Sequence, residues 1–172
     1  MTVPALHLNN GYTMPQIGFG TASLNDDQIA PLIVTAIEVG YRHLDTAYRY
    51  GNQRGVGLGL KNSGIPREQV FVTTKLDGEF QGNDKAIAGL DECLRQLDME
   101  YVDLLLIHWP LPQRDEYIST WKTFEKLVGT GKVRSIGVSN FKPAHLDRLL
   151  TTANIRPVAN QIQLNPRINR AD

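Results

Sequence analysis

Hydrophobic and polar positions along this chain switch between two periods. Six short runs are apolar or alternate every second residue and end near a polar or glycine residue: "MPQIGFG" (14–20), "YRHLD" (41–45), "QVFVTTK" (69–75), "YVDLLLIH" (101–108), "VRSIGVSN" (133–140) and "PVANQIQ" (157–163). They have strand character. Between them, apolar residues three and four apart predict helices over 26–40, 52–64, 84–97, 115–131 and 142–153. In the first of these Asp26 is the expected N-cap, Leu32, Ile33, Ala36 and Ile37 share one face, and Gly40 is the stop. The second is diluted by Gly55, Gly57 and Gly59. Ahead of the series, "LHLNNGYTMPQIG" carries an Asn-Asn-Gly turn.

Strands that alternate with helices pair in parallel, because each crossover needs about a dozen residues. A near-continuous apolar strand such as "VDLLLI" implies a sheet covered on both faces. Two α/β architectures meet these conditions, a doubly wound open sheet and a (β/α) barrel. The polar residues at the strand ends separate them. From Asp45 to Lys75, His108, Ser139 and Gln161 the steps are 30, 33, 31 and 22 residues, close to one βα unit of about 30 residues. In a barrel these positions converge on the C-terminal rim, where such proteins build their sites. In an open sheet only those at the switch point would meet. The barrel accounts for all of them together.

Composition adds limits rather than direction. The chain has 172 residues, 41% apolar and 21% charged, with no formal net charge, so a single globular domain is expected over 1–172. A pI near 6.9 gives no electrostatic reason for a nucleic-acid or anionic-membrane partner. No apolar run approaches the roughly 18 residues that span a bilayer, and the first residues lack the basic and apolar regions of a secretory signal. The lone cysteine, Cys93, lies beside the stripe Ile87, Leu90, Leu94 and Leu97 and reads as packing; with no partner for a disulfide, a reducing cytoplasm is the expected setting.

The rim residues Asp45, Tyr50, Lys75 and His108 suggest a chemistry. A free tyrosine titrates near 10, too high for an efficient proton relay at neutral pH, but a neighbouring ammonium stabilises the phenolate. Asp45 supplies the carboxylate that a buried Lys75 requires, and His108 is placed to hydrogen-bond a carbonyl oxygen. Such a set suits donation of a proton to an oxygen that becomes negative as a hydride arrives.

Five motifs in order, "GYRHLDTAYRYGN", "VFVTTKL", "DLLLIHWP", "SIGVSNF" and "ANQIQLNP", resemble those of the aldo-keto reductases, above all bacterial members that reduce small dicarbonyls, keto sugars and aldehydes. The resemblance runs over essentially the whole chain. It implies a (β/α)8 TIM barrel with an N-terminal hairpin closing its bottom, of which these residues cover about the first six strands, a domain C-terminally incomplete by that measure. It also implies reduction of a small carbonyl substrate by NADPH, with NADH the alternative, in a monomer. Tyr50 becomes the general acid, tuned by Lys75 and Asp45, and His108 orients the carbonyl. Ser139, Asn140 and Gln161 match positions that hold the nicotinamide carboxamide, Thr21 one near its ribose and Trp109 one in the substrate pocket, and Asp45 is implied as a cofactor contact too. Two positions depart from the family pattern. Asp77 stands where many members have tryptophan, which implies a more polar or open pocket, and Gln53 stands for the usual Glu, with an altered helix-start contact expected.

Other assignments weigh less. A non-catalytic nucleotide-binding or interaction protein on the same barrel, with Asp45 and Lys75 as a core ion pair, is the first alternative. A metal-dependent hydrolase using His43, Asp45 and His108 is the second, and Lys75 would then put a cation among the ligands. His43 is expected to pack inside the barrel, His145 on a helix surface, His7 in the hairpin, Tyr12 and Tyr48 in packing or at the surface, and Trp121 and Phe124 in the core. "GVGLG" (55–59) does not directly follow a strand as a dinucleotide loop does, and in "GVSNF" Phe141 fills the second glycine's place of a nucleophile elbow.

Overall fold

The computed structural model describes residues 4–83 and 85–168. A hairpin of β1 (Ala5–His7) and β2 (Thr13–Pro15) precedes a six-stranded sheet. That sheet consists of β3 (Phe19–Gly20), β4 (His43–Asp45), β5 (Phe71–Leu76), β6 (Val102–Ile107), β7 (Val133–Ser139) and β8 (Asn160–Gln161), all parallel and in strict chain order. Helices α1 (Asp26–Glu38), α2 (Gln53–Asn62), α3 (Lys85–Leu97), α4 (Tyr117–Leu127) and α5 (Pro143–Leu150) fill the crossovers. An order without reversal has no switch point, so the sheet winds one way, as a barrel does.

The curl is visible in a single contact. In a flat sheet β4 and β8, four strands apart, would lie about 19 Å from each other. Yet Gln161 Nε2 donates to Asp45 Oδ2 at 2.7 Å. The six strands therefore form a partial (β/α) barrel whose C-terminal ends face a common centre.

Alternation along the strands divides the core in two. Leu44, Val72, Leu76, Leu105, Ile107, Ile136 and Val138 pack outward against helix residues including Ile33, Leu60, Leu90, Trp121 and Phe124. Phe71, Leu104 and Leu106 point inward and meet Leu8 and Met14 of the hairpin. The hairpin turn is fastened beneath the barrel: Asn9 Nδ2 donates to Pro157 O at 3.1 Å, and Asn10 Nδ2 donates to Ser135 Oγ at 3.0 Å.

Local signals fare unevenly. Asn25, not Asp26, caps α1, in a reciprocal box with Gln28: Asn25 Oδ1 accepts from Gln28 N at 2.9 Å and Gln28 Oε1 from Asn25 N at 3.1 Å. Asp26 instead reaches across to α2, where its Oδ1 accepts from Gly55 N at 2.6 Å, satisfying a donor that the start of α2 leaves free. The fourth helix ends at Leu127 rather than Gly131, because Gly129 and Gly131 adopt φ of +88° and +86° and turn the chain into β7. The last strand pairs only over Asn160 and Gln161 of the expected 157–163.

The glycines of "GVGLG" are packing devices. A Cβ on Gly57 would lie 2.1 Å from Leu97 O, and Cβ atoms on Gly55 and Gly59 would lie 2.4 Å and 2.5 Å from Asp26 O and Ala30 O. Backbone contact of α2 with α1 and α3 thus requires the missing side chains. Gly57→Ala is expected to destabilise the fold by about 2–4 kcal/mol. Chemical denaturation checks this, and a loss below roughly 0.5 kcal/mol would show that the helices separate freely.

Candidate active site

Each strand end contributes by its register. Asp45 ends β4 and lies beside β5, where alternation turns Phe71, Thr73 and Lys75 inward. Lys75 is almost completely buried, at 1% exposure. A buried ammonium needs acceptors for its three hydrogens, and it has them: Asp45 Oδ1 at 2.5 Å, Thr46 O at 3.0 Å and Tyr50 Oη at 3.3 Å. Because a lysine only donates, the Tyr50 oxygen is the acceptor in that bond. Its own O–H is left to point elsewhere.

Tyr50 is carried by a one-turn 3-10 helix, Tyr48–Tyr50, that leaves β4 and is closed by Gly51 at φ +67°. The loop is nailed down behind it. Asn52 is fully buried, donates to Thr21 O at 2.6 Å and Leu24 O at 2.8 Å, and accepts from Thr46 Oγ1 at 3.4 Å. Gln53 is fully buried too, and its partners are not at the helix start as expected. Its Oε1 accepts from Thr74 Oγ1 at 2.5 Å and its Nε2 donates to Gln96 Oε1 at 3.1 Å. Gln53 therefore ties the Tyr50 loop to the residue next to Lys75. Sequence reasoning missed Asn52 and Thr74 as supports; a buried amide has no signature in a single sequence.

His108 follows β6 and presents its ring edge-on to Tyr50, with centroids 5.8 Å apart, while Trp109 stacks beside it at 6.4 Å and is 47% exposed. Burial, reinforced by the Lys75 charge, pushes the His108 imidazole down to about 4 from its ordinary 6.5. The ring is thus neutral at pH 7, with one N–H to donate. Its Nδ1 is buried with no hydrogen-bond partner among the described residues. An imidazole whose native pKa is depressed adds stability above its unfolded value, and that stability is lost as pH falls from about 6.5 toward 4, by about 3 kcal/mol at most. His43, likewise lowered by burial, acts in the same direction. We expect the His108 ring resonances to titrate with a midpoint near pH 4; a midpoint between 6 and 7 would contradict the buried neutral ring.

The opposite side of the rim is a hydrogen-bonded set. Asn140 sits in the left-handed region at φ +61°, which aims its Nδ2 at His108 O and at Ser139 Oγ, both at 3.1 Å. Ser139 Oγ donates to Gln161 O at 3.0 Å, and the Asn140 main-chain N donates to the same oxygen at 2.9 Å. Both amide hydrogens of Asn140 are engaged, leaving Oδ1 as an acceptor, whereas Gln161 keeps one amide hydrogen and its Oε1. An acceptor beside a donor matches a primary carboxamide, so these residues fit the group they were expected to hold. Thr21 is fully buried and its Oγ1 donates to Asp45 O at 3.1 Å, fastening β3 to β4 rather than facing the open rim.

The remaining candidates fall outside this cluster. His43 packs inside the barrel against Phe71 and bonds Thr73 Oγ1 at 2.9 Å. His145 is half-buried between Tyr117 and Phe141, more than a surface residue. His7 and Tyr12 are exposed, Tyr48 packs on Phe80, and Trp121 and Phe124 lie in the core. Cys93 is buried, and burial pushes its thiol up to about 11. Asp77 caps the turn after β5 by accepting from Glu79 N at 3.2 Å and lies 3.5 Å from the Arg49 guanidinium, so a charged pair stands where an aromatic wall was the family pattern. Among the described residues no three His, Cys, Asp or Glu side chains come together to hold a metal, and no helix is long and apolar enough to cross a membrane.

A parallel barrel wall with a tyrosine, a lysine–aspartate pair and a histidine at its C-terminal rim defines the class. The aldo/keto reductase family model matches residues 16–172, and the chain belongs to that family. It is 48% identical over 160 residues to a 9,11-endoperoxide prostaglandin H2 reductase of Trypanosoma cruzi, covering 92% of this chain and 56% of that protein. It is 43% identical over 166 residues to glyoxal reductase of Bacillus subtilis, covering 96% and 59%. The crystal structure of an aldo-keto reductase of Bombyx mori in complex with NADP superposes with a TM-score of 0.92 at 37% identity, over 99% of this chain and 61% of that one. The chain thus spans somewhat over half the length of the curated relatives it matches.

Proposed function

We propose that the chain carries the proton-donating and nicotinamide-facing rim of an NADPH-dependent reductase of aldehydes, dicarbonyls or keto sugars, its six strands being the first six of an eight-stranded barrel in one domain. The reading is carried by the direction of the Lys75–Tyr50 hydrogen bond, which leaves the Tyr50 O–H free to donate. A bound reduced nicotinamide supplies the hydride that adds to the carbonyl carbon. Tyr50 gives its proton to the carbonyl oxygen, and the Lys75 ammonium steadies the phenolate that remains. Asp45 holds Lys75 in place, since an unpaired ammonium at that depth would turn toward water. Neutral His108 donates its N–H to the same oxygen and fixes which face of the carbonyl is presented, while Trp109 forms an adjacent wall. Asn140 and Gln161 hold the carboxamide, with Ser139 setting the Gln161 backbone; Thr21 acts through the Asp45 main chain. NADPH is preferred to NADH on the analogy of the Bombyx mori complex. The glyoxal reductase relative favours small dicarbonyls. We place the protein in the cytoplasm, as a monomer.

The test is oxidation of NADPH by the purified intact protein with glyoxal or a simple α-diketone, followed as loss of nicotinamide absorbance. Absorbance that stays constant with every aldehyde, diketone and keto sugar, while NADPH still binds, would leave a binding protein and not a reductase.

A further inference from the structure

The two sides of the rim are joined through one residue. From Tyr50 Oη the bonds run to Lys75 Nζ, to Asp45 Oδ1, and from Asp45 Oδ2 to Gln161 Nε2 at 2.7 Å. From Gln161 O they continue to Ser139 Oγ, to Asn140 Nδ2 and to His108 O. Gln161 is separated from Asp45 by 116 residues, and it comes from the strand farthest from β3 in the sheet order. A carboxylate held at one oxygen can rotate about its side-chain torsions; one held at both cannot. Asp45 is held at both, by Lys75 on one side and Gln161 on the other. The backbone of Gln161 is fixed in turn, its carbonyl accepting from Ser139 and from the Asn140 N–H.

We propose that Gln161 is a positioning residue for proton transfer: beyond any contact with a cofactor, its amide orients Asp45, hence Lys75 and the Tyr50 hydroxyl. This inference rests on the carbonyl-reductase reading for its kinetic consequence, but its structural core is the Gln161–Asp45 bond. Charged or titratable groups around Asp45 are His43 on β4, Tyr50 in the loop after it, Lys75 on β5 and His108 after β6, and a carboxylate introduced at position 161 would face Asp45 first.

Two substitutions test it. In Gln161→Glu two carboxylates face each other where an amide met a carboxylate, and such a pair takes up a proton. At pH 8 its melting temperature is expected several degrees below that of the unsubstituted protein, the gap narrowing as pH falls toward 5 because the shared proton restores the bond; kcat follows the same recovery. A gap that stays constant over this range overturns the proposal. Gln161→Met keeps the volume and removes the donor. Its kcat at saturating cofactor and carbonyl is expected to fall about tenfold, without the recovery in acid. An unchanged kcat with only a weakened cofactor Kd would make Gln161 a simple ligand contact and overturn the proposal. If the unsubstituted protein reduces no carbonyl, the functional reading alone fails, and the melting-temperature comparison then decides the proposal by itself.

Discussion

Tyr50→Phe is expected to lower kcat for carbonyl reduction by about 10²–10⁴-fold, the range a positioned general acid contributes, while NADPH binding changes little. The phenyl ring keeps the edge contact with His108, and the loop stays pinned by Asn52 and Gln53, so the scaffold is preserved. What disappears is the one hydroxyl that Lys75 touches among the described residues. One hydrogen of the ammonium then lacks an acceptor, a cost of about 1–3 kcal/mol before relaxation. Steady-state kinetics with a dicarbonyl, alongside cofactor titration by fluorescence quenching, separate the two effects. Full activity in the variant would remove Tyr50 from the role of acid.

The second large effect lies at the other end of the barrel. Asp103, near the start of β6, is 3% exposed and accepts from Arg67 Nη2 at 2.7 Å, Arg134 Nη1 at 2.8 Å and Val72 N at 2.9 Å. The same two guanidinium groups lie 4.2 Å and 4.1 Å from the Tyr101 ring centroid. One carboxylate thus bridges two cations gathered on one ring, linking the turn before β5 to β6 and β7. Asp103→Ala leaves both charges uncompensated and one backbone N–H without its partner. Breaking a buried pair costs about 3–5 kcal/mol; the two arginines are 21% and 37% exposed, which reduces the expected loss to about 2–4 kcal/mol. Urea denaturation measures it. Asp103→Asn, which keeps one acceptor, should lose less, and equal stability of all three proteins would deny the cluster any role.

These two sites differ in how far the sequence exposes them. Asp45, Lys75, His108, Ser139 and Gln161 can be found because a barrel repeats: each strand ends at the same place in its unit, so a spacing near one βα unit marks the rim. Tyr50 follows from its motif. Asp103 gives almost no signal. It is one acidic residue in an apolar strand, and its partners Arg67 and Arg134 lie 36 and 31 residues away, in no recurring pattern. The glycines at 55, 57 and 59 weaken the helix signal without showing their purpose for a related reason, since composition alone does not reveal which carbonyls crowd a helix face.

Strand and helix periodicity and the spacing of polar strand ends were enough to point to the parallel α/β barrel and to Asp45, Lys75, His108, Ser139 and Gln161 at its rim, because these depend on local geometry repeated along the chain; the hairpin and Tyr50 came from motifs. Helix starts were displaced by tertiary competition: Asp26 faces α2, so Asn25 caps α1. Only the folded barrel decided which way each hydrogen bond runs. The donor-only ammonium of Lys75 makes Tyr50 an acceptor there, burial keeps His108 neutral, and the curl of the sheet brings Gln161 onto Asp45. Bond direction, burial and curvature belong to groups far apart in sequence, and they exist only once the strands have closed around a common centre.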